Sequence, residues 1–346
     1  MDFKGILLIG TVLLASIYTG GYSTYQYVDY KFPEITKEIK LNVSSFDTPA
    51  QVLPINPITN SAPTITETDN NPESTLPTVT DGEAKGKIIS RFISPYGANT
   101  SYNHVYLKNN TGVNIDIEYL LNKKLSFVVQ KNTKPQVLII HTHTTECFMN
   151  EDKDYYTDAD AARSLENDKN MVAIGSIIAE KLKQSGIGVI HDSTVHDHPS
   201  YSGSYNRSAE TIKRNLEKYP TIKVVLDVHR DAISDSTVNK VKPIVEIDGE
   251  KTAQVMLVMG SETGEISGFP KWKENLALAV KYQQIMEVTY PGFARAITLN
   301  SAKYNQNMTV GSLLLEVGSD ANTFEEAKNA AEKAGESLVS LLNTVK

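Results

Sequence analysis

Three short apolar runs constrain this chain more than any other feature: VLII at 137–140, VVLDV at 224–228 and LLLEV at 313–317. They are close to continuously apolar rather than alternating, the pattern of strands buried on both faces. Each delivers a polar residue that can do chemistry: His143 follows the first, His229 ends the second, and Glu316 interrupts the third. Between the runs the spacing turns helical. Met171, Ile174, Ile178 and Leu182 recur at helical intervals before a stop at Gly186, and Ile212, Leu216 and Tyr219 line a second helix ending at Pro220. Residues 188–192 return as a strand. The stretch PIVEIDGEKTAQVMLVMG (243–260) reads as a hairpin around Asp248-Gly249 running into a central strand, and 272–288 as an amphipathic helix. Thr323 and Glu326 open a last helix with a capping box. Strand and helix alternate, so the expected class is α/β, a mixed or mainly parallel sheet flanked by helices.

In such sheets ligands sit at the carboxyl ends of the strands. A bare glutamate set among leucines is costly unless paired or bound, and the same holds for Asp227, which shares a strand face with His229 and could orient its ring. Two imidazoles and a carboxylate suit zinc, with a fourth position left for water. Glu166, just before the first helix, is a candidate third ligand, although alone it would simply favour the helix dipole. His141 and His143 share a strand face, so either could be the ligand. Cys147 could act as a nucleophile beside His143 or be a half-buried structural thiol. The two histidines of the loop HDHPSYSGSY (196–205) could touch substrate or simply face solvent. No nucleophile elbow, P-loop, dinucleotide fingerprint or HExxH is present. A glycosidase built on Glu316 and Asp227 would leave the histidines unexplained.

A net charge of −7 gives no reason to expect nucleic acid as a partner, and a single cysteine excludes an intramolecular disulfide. Ahead of the body, 24 residues between Lys4 and Asp29 carry no charge. As a helix they would span about 36 Å, enough to cross a bilayer core of about 30 Å. Tyrosines at 18, 22, 25, 27 and 30 suit an interfacial belt, which favours an uncleaved anchor over a cleaved signal peptide and an exported body. The expected organisation is an anchor with flanks at 1–30, a Pro/Thr/Asn-rich linker at 31–86, a small membrane-proximal element at 87–134, and the chemistry-bearing domain at 135–346.

The stretches VLIIHTHTTE, ENDKNMVAIGSIIAEKLKQSG, VVLDVHRDA and SLLLEVGSDANTFEEA, in this order, resemble the stage II sporulation protein P family of membrane-anchored cell-wall hydrolases. More broadly the body is similar to zinc-dependent N-acetylmuramoyl-L-alanine amidases. The resemblance implies Zn2+ held by His143, Glu166 and His229, with His141 as the alternative to His143. It implies Glu316 as the catalytic base and a structural role for Arg207. Arg230 would help stabilise the oxyanion. The implied substrate is peptidoglycan, cut between N-acetylmuramic acid and the stem peptide, with some activity on stem cross-links. The implied setting is the septal wall at engulfment, on the outer face of the mother-cell membrane. The implied partners are the stage II sporulation protein D transglycosylase and stage II sporulation protein M. A wall-binding scaffold that recruits other hydrolases is the competing expectation.

Overall fold

The computed structural model describes residues 83–345 except positions 133, 161, 236 and 237, so the expected anchor and nearly all of the linker lie outside the described residues. Among the described residues no helix is long and apolar enough to cross a membrane. In chain order the strands and helices are β1 (Gly86–Arg91), β2 (Thr100–Tyr102), β3 (Val105–Asn109), α1 (Ile117–Asn122), β4 (Pro135–Ile140), β5 (Tyr155–Tyr156) and α2 (Met171–Gln184). They continue as β6 (Gly188–His191), α3 (Ser204–Lys218), β7 (Val224–Asp231), β8 (Lys240–Ile247), β9 (Glu250–Ala253) and β10 (Val255–Gly260). The last four are α4 (Trp272–Thr289), β11 (Ile297–Asn300), β12 (Ser312–Ser319) and α5 (Phe324–Thr344).

Eight strands form the main sheet in the order β2-β3-β11-β10-β12-β7-β4-β6. Its pairs are parallel except β10 with β12 and β2 with β3, so the sheet is mixed, as the alternation of elements implied. The three apolar runs become adjacent central strands, β4, β7 and β12. One set of alternate side chains (Val137 and Ile139, Leu226 and Val228, Leu313 and Leu315) joins the main core with α2, α4 and α5. The opposite set (Leu138, Ile140, Val225) packs with Ile212 of α3 in a smaller core. A helix on each side is what makes these runs apolar at nearly every position.

The turn joining β8 and β9 has Asp248 at φ 55° and Gly249 at φ 83°, the two positive φ angles a tight hairpin requires. That hairpin belongs to a second sheet of four strands, β5-β1-β8-β9. Helix α5 opens with the expected reciprocal cap between Thr323 and Glu326. Residues 87–134 do not form a separate piece. β2 and β3 extend the main sheet, β1 enters the small one, and Val105, Leu107, Ile117, Leu120 and Phe127 share the main core. The reason is that β3 and α1 pack against α4, a cover that a small isolated element could not supply.

Candidate functional site

Where β4 ends at Ile140 the chain leaves the sheet in turns, and the two-residue alternation that put His141 and His143 on one face ends with it. His141 is fully buried and turns toward β6. Its Nδ1 lies 2.9 Å from the Val228 carbonyl and its Nε2 2.9 Å from His191 Nε2, and burial, then the neighbouring His191, depress its pKa to about 3. His143 goes the other way. Its ring meets that of His229 edge-on at 5.2 Å and stacks on Tyr201 at 4.5 Å, with the Tyr201 hydroxyl 3.1 Å from Nε2. Burial, then the cationic His229, hold His143 neutral with a pKa near 2. The structure therefore brings His143, not His141, to His229.

β7 and β12 run parallel in a register that places Glu316 beside His229 and Leu314 beside Asp227. Asp227 is anchored by the Thr142 amide (2.8 Å to Oδ1) and hydroxyl (2.6 Å to Oδ2). Its Oδ1 also lies 2.9 Å from His229 Nε2, an ion-pair distance, although the ring N–H is not aligned on the oxygen as a hydrogen bond requires. Burial opposes both charges, but the pairing prevails: Asp227 stays down at about 2 and His229 is pushed up to about 10. Glu316 is raised to about 8 by burial, partly offset by the His229 charge. Tyr205, edge-on to His143 at 5.7 Å, and Tyr304 close the same side of the site.

Among the carboxylates on the loop after β4, the one the sequence reading selected lies away from the histidines. The Glu166 side chain is 61% exposed and pairs with Lys169 at 2.7 Å in the turn before α2. Asn170, its neighbour in the motif, caps that helix by accepting from the Val172 amide. The acid that does reach the histidines is Glu146, buried, with Oε2 3.7 Å from His229 Nδ1. It sits three residues after His143 because residues 142–145 turn the chain back over the sheet edge. Burial raises the Glu146 pKa, and Arg230 and Arg163, at 3.7 and 3.8 Å from Oε1, oppose the rise. Arg230 does not point toward the histidines, since successive residues of β7 face opposite sides. Its Nε donates to the Cys147 carbonyl and its Nη2 to the Ala162 carbonyl, so it clamps the loop.

Arg207 likewise holds backbone, donating from Nε to the His196 carbonyl at 2.5 Å. His196 is spent on the His141 carbonyl (2.7 Å) and the Thr211 hydroxyl (2.9 Å). Cys147 is buried, and burial pushes its thiol up to about 11, far from a reactive thiolate. The sequence reading assigned no role to Glu146, Tyr201, Arg163 or Asp197. Arg163 lies 4.8 Å over the Tyr201 ring and ion-pairs with Asp197, which also accepts from the Thr145 amide and hydroxyl. Glu146 alone carried a local signal, its place in HTHTTE.

Among the described residues no three His, Cys, Asp or Glu side chains are set at the spacing of a metal site. In chemistry, however, the donors suit a divalent cation. His143 Nδ1, His229 Nε2 and Glu316 Oε2 are each shielded from solvent without a hydrogen-bond partner. Three carboxylates, Glu146, Asp227 and Glu316, surround His229, which itself supplies the positive charge they favour. Buried polar atoms without partners are uncommon and costly, and imidazole nitrogens and carboxylate oxygens are the atom types a divalent cation binds.

Residues 59–338 match the family model described as stage II sporulation protein P (SpoIIP). The stage II sporulation protein P of Bacillus subtilis (strain 168) is 29% identical over 214 residues, which cover 59% of this chain and 50% of that protein. The chain thus spans about half the length of that curated relative. Among solved structures, the CwlD amidase of Clostridioides difficile in complex with the GerS lipoprotein is similar with a TM-score of 0.39 and 12% identity, over 60% of this chain and 99% of that one. An N-acetylmuramoyl-L-alanine amidase from Clostridium difficile 630 is similar with a TM-score of 0.37 and 16% identity, over 62% and 100% of the two chains. The catalytic domain of CwlV from Bacillus (Paenibacillus) polymyxa var. colistinus has a TM-score of 0.36 and 13% identity, over 61% and 99%. No assignment of substrate follows from likenesses this distant.

Proposed function

Since the chain belongs to the stage II sporulation protein P family, we propose that it is a zinc-dependent peptidoglycan hydrolase that cuts the amide between N-acetylmuramic acid and the stem peptide. The observation that carries this reading is the gathering of His143, His229, Glu146 and Glu316 at the carboxyl edge of three adjacent strands, with unpartnered buried atoms on three of them. His143, His229 and Glu146 are the residues that would hold Zn2+, whose chemistry here is to polarise the carbonyl and make water acidic near neutral pH. Glu166 has no part in this set.

The protein's own groups then divide the remaining tasks. Glu316, with its pKa moved up into the working range by burial, takes the proton from water at Oε2 and returns it to the departing amine. Asp227, fixed from two sides by Thr142, holds the His229 ring in place. Tyr201 and Tyr205 wall His143 and keep bulk water from the ring. Arg230 keeps the turn that carries Glu146 against the sheet rather than contacting the oxyanion. On the same reading the body works on the outer face of the membrane at the septum, alongside stage II sporulation proteins D and M. Activity on stem cross-links is a further expectation.

The test is a mass-spectrometric digest of purified peptidoglycan by the full chain, with zinc present or chelated. Free stem peptides appearing only with zinc, and a loss of at least 100-fold in Glu316→Gln at unchanged zinc content, are expected. Full activity of a zinc-loaded Glu316→Gln would remove the base. Wall binding without cleavage by the wild type would leave a scaffold.

A further inference from the structure

The edge of the main sheet opposite the candidate site holds a groove. A cavity of about 610 Å³ lies where β4 and β7 begin, between residues 124–130 on one side and residues 220–223 on the other. Along the first wall burial alternates as it does in a strand. Leu125, Phe127 and Val129 enter the main core, while Ser126, Val128 and Gln130 are exposed. Yet this segment has no strand beside it. Val129 donates to the Val345 carbonyl and Gln130 to Gln136 Oε1, but among the described residues the amides of Ser126, Phe127 and Val128 have no acceptor. An extended edge of this kind is a template for an added strand. Its charge is one-sided. Lys124 and Lys223 flank the groove, no carboxylate lines it, and among the described residues neither lysine is in an ion pair.

The chain itself carries a segment of the complementary kind. Residues 61–82, which lie outside the described residues, hold Glu67, Asp69, Glu73 and Asp81 and no lysine or arginine. The region that matches the family begins at residue 59 and so includes them. Within them TITETD (64–69) is free of proline and glycine, and its β-branched residues suit a strand. At a two-residue period Ile65, Glu67 and Asp69 fall on one side and three threonines on the other. Ile65 matches the apolar Val128 and Pro220 of the groove, and the two carboxylates match its two lysines. The connection is long enough. Asp69 to Gly86 is 17 residues, about 56 Å when extended. β1 lies by the other edge, since its partner β8 meets the carboxyl end of β12 through the Val241 carbonyl and the Ser319 hydroxyl. The eight residues of β7 separate the two edges by only about 26 Å.

We propose that residues 64–69 dock in this groove of the same molecule as a strand added to residues 125–130, with Glu67 and Asp69 on Lys124 and Lys223. Docked there, the segment fixes where the chain enters the body, at the edge away from the candidate site, and leaves the carboxyl edge unobstructed. The inference is independent of the hydrolase reading.

Its test is carbodiimide cross-linking of the full chain, read by mass spectrometry. The reagent condenses a lysine amine with a carboxylate in contact, so amides joining Lys124 or Lys223 to Glu67 or Asp69 are expected. In an equal mixture of unlabelled and isotope-labelled chains the linked pairs are expected to be uniform. Mixed pairs would assign the groove to a second copy and overturn docking within one molecule. Hydrogen exchange supplies a second reading. The amides of residues 126–128 are expected to exchange at least about tenfold more slowly in the wild type than in the double variant Glu67→Lys, Asp69→Lys. Adding Lys124→Glu and Lys223→Glu to that variant, which swaps the charges, is expected to restore slow exchange. Absence of the cross-links, or exchange rates that neither reversal moves, would overturn the proposal.

Discussion

Glu146 and Glu166 sit on the same loop, yet water and neighbours treat them oppositely. Glu166 keeps its hydration and a lysine partner, an exposed pair that water and salt screen to little net effect. Glu146 is buried, and an unpaired carboxylate there would cost several kcal/mol. Arg163, Arg230 and His229 all lie within 4 Å of it but outside close hydrogen-bond reach, apart from the Arg230 amide at 3.3 Å. A metal cation in direct contact is the natural complement to such a half-satisfied group. Zinc affinity measured by competition with a chelator is therefore expected to fall at least tenfold in Glu146→Gln and to stay unchanged in Glu166→Gln. The reverse result would return the third ligand to the helix start. At this scale the sequence was a poor guide, because both acids follow His143 on one loop, and the place of Glu146 in HTHTTE does not say which of them is folded inward.

Elements transmit this selection. His141 links the end of β4 to β7 through the Val228 carbonyl and to β6 through His191, and α2 accommodates the two rings only because position 175 is glycine. A Cβ there would come within 2.6 Å of His141 Cε1 and Nε2 and 2.8 Å of His191 Nε2. Glycine in a helix ordinarily costs about 1 kcal/mol relative to alanine, so Gly175→Ala should stabilise an isolated α2. In the folded chain the clash outweighs that gain, since overpacking typically costs about 1–3 kcal/mol and stiff imidazoles on two strands cannot swing clear. Urea unfolding should show Gly175→Ala to be less stable than the wild type. A more stable variant would mean that the strand ends yield, and that His141 does not hold the β4–β7 register. The helix itself was legible from Met171, Ile174, Ile178 and Leu182, all fully buried as their spacing predicts. The role of Gly175 was not, for its neighbours come from other strands.

For the molecule as a whole, a buried acid far from the histidines sets a pH dependence that can be isolated. Glu287 on α4 accepts from the Gly292 and Ala294 amides, yet burial pushes it up from 4.5 to about 7. The folded chain thus keeps a proton that the unfolded chain releases above about 4.5. Stability from this group is complete below that pH and is lost as pH rises through about 7. The full difference corresponds to at most roughly 3 kcal/mol. Urea-unfolding free energies from pH 4.5 to 8 should fall more steeply for the wild type than for Glu287→Gln, whose amide does not titrate. Parallel curves would assign the slope to other groups.

The same global view explains what could be read in advance. From its sequence alone the chain determined its class, its four long helices and the strands that deliver His143, His229 and Glu316, because burial on both faces of a sheet leaves an apolar run that needs no partner to be recognised. Tertiary structure alone decided the rest: residues 87–134 join the main core, His141 turns to His191, Arg230 clamps backbone, and Glu146 reaches the site in place of Glu166. Each of these outcomes depends on which distant segment covers a given side chain, and the free energy of a buried charge or ring belongs to that cover rather than to its neighbours in the chain.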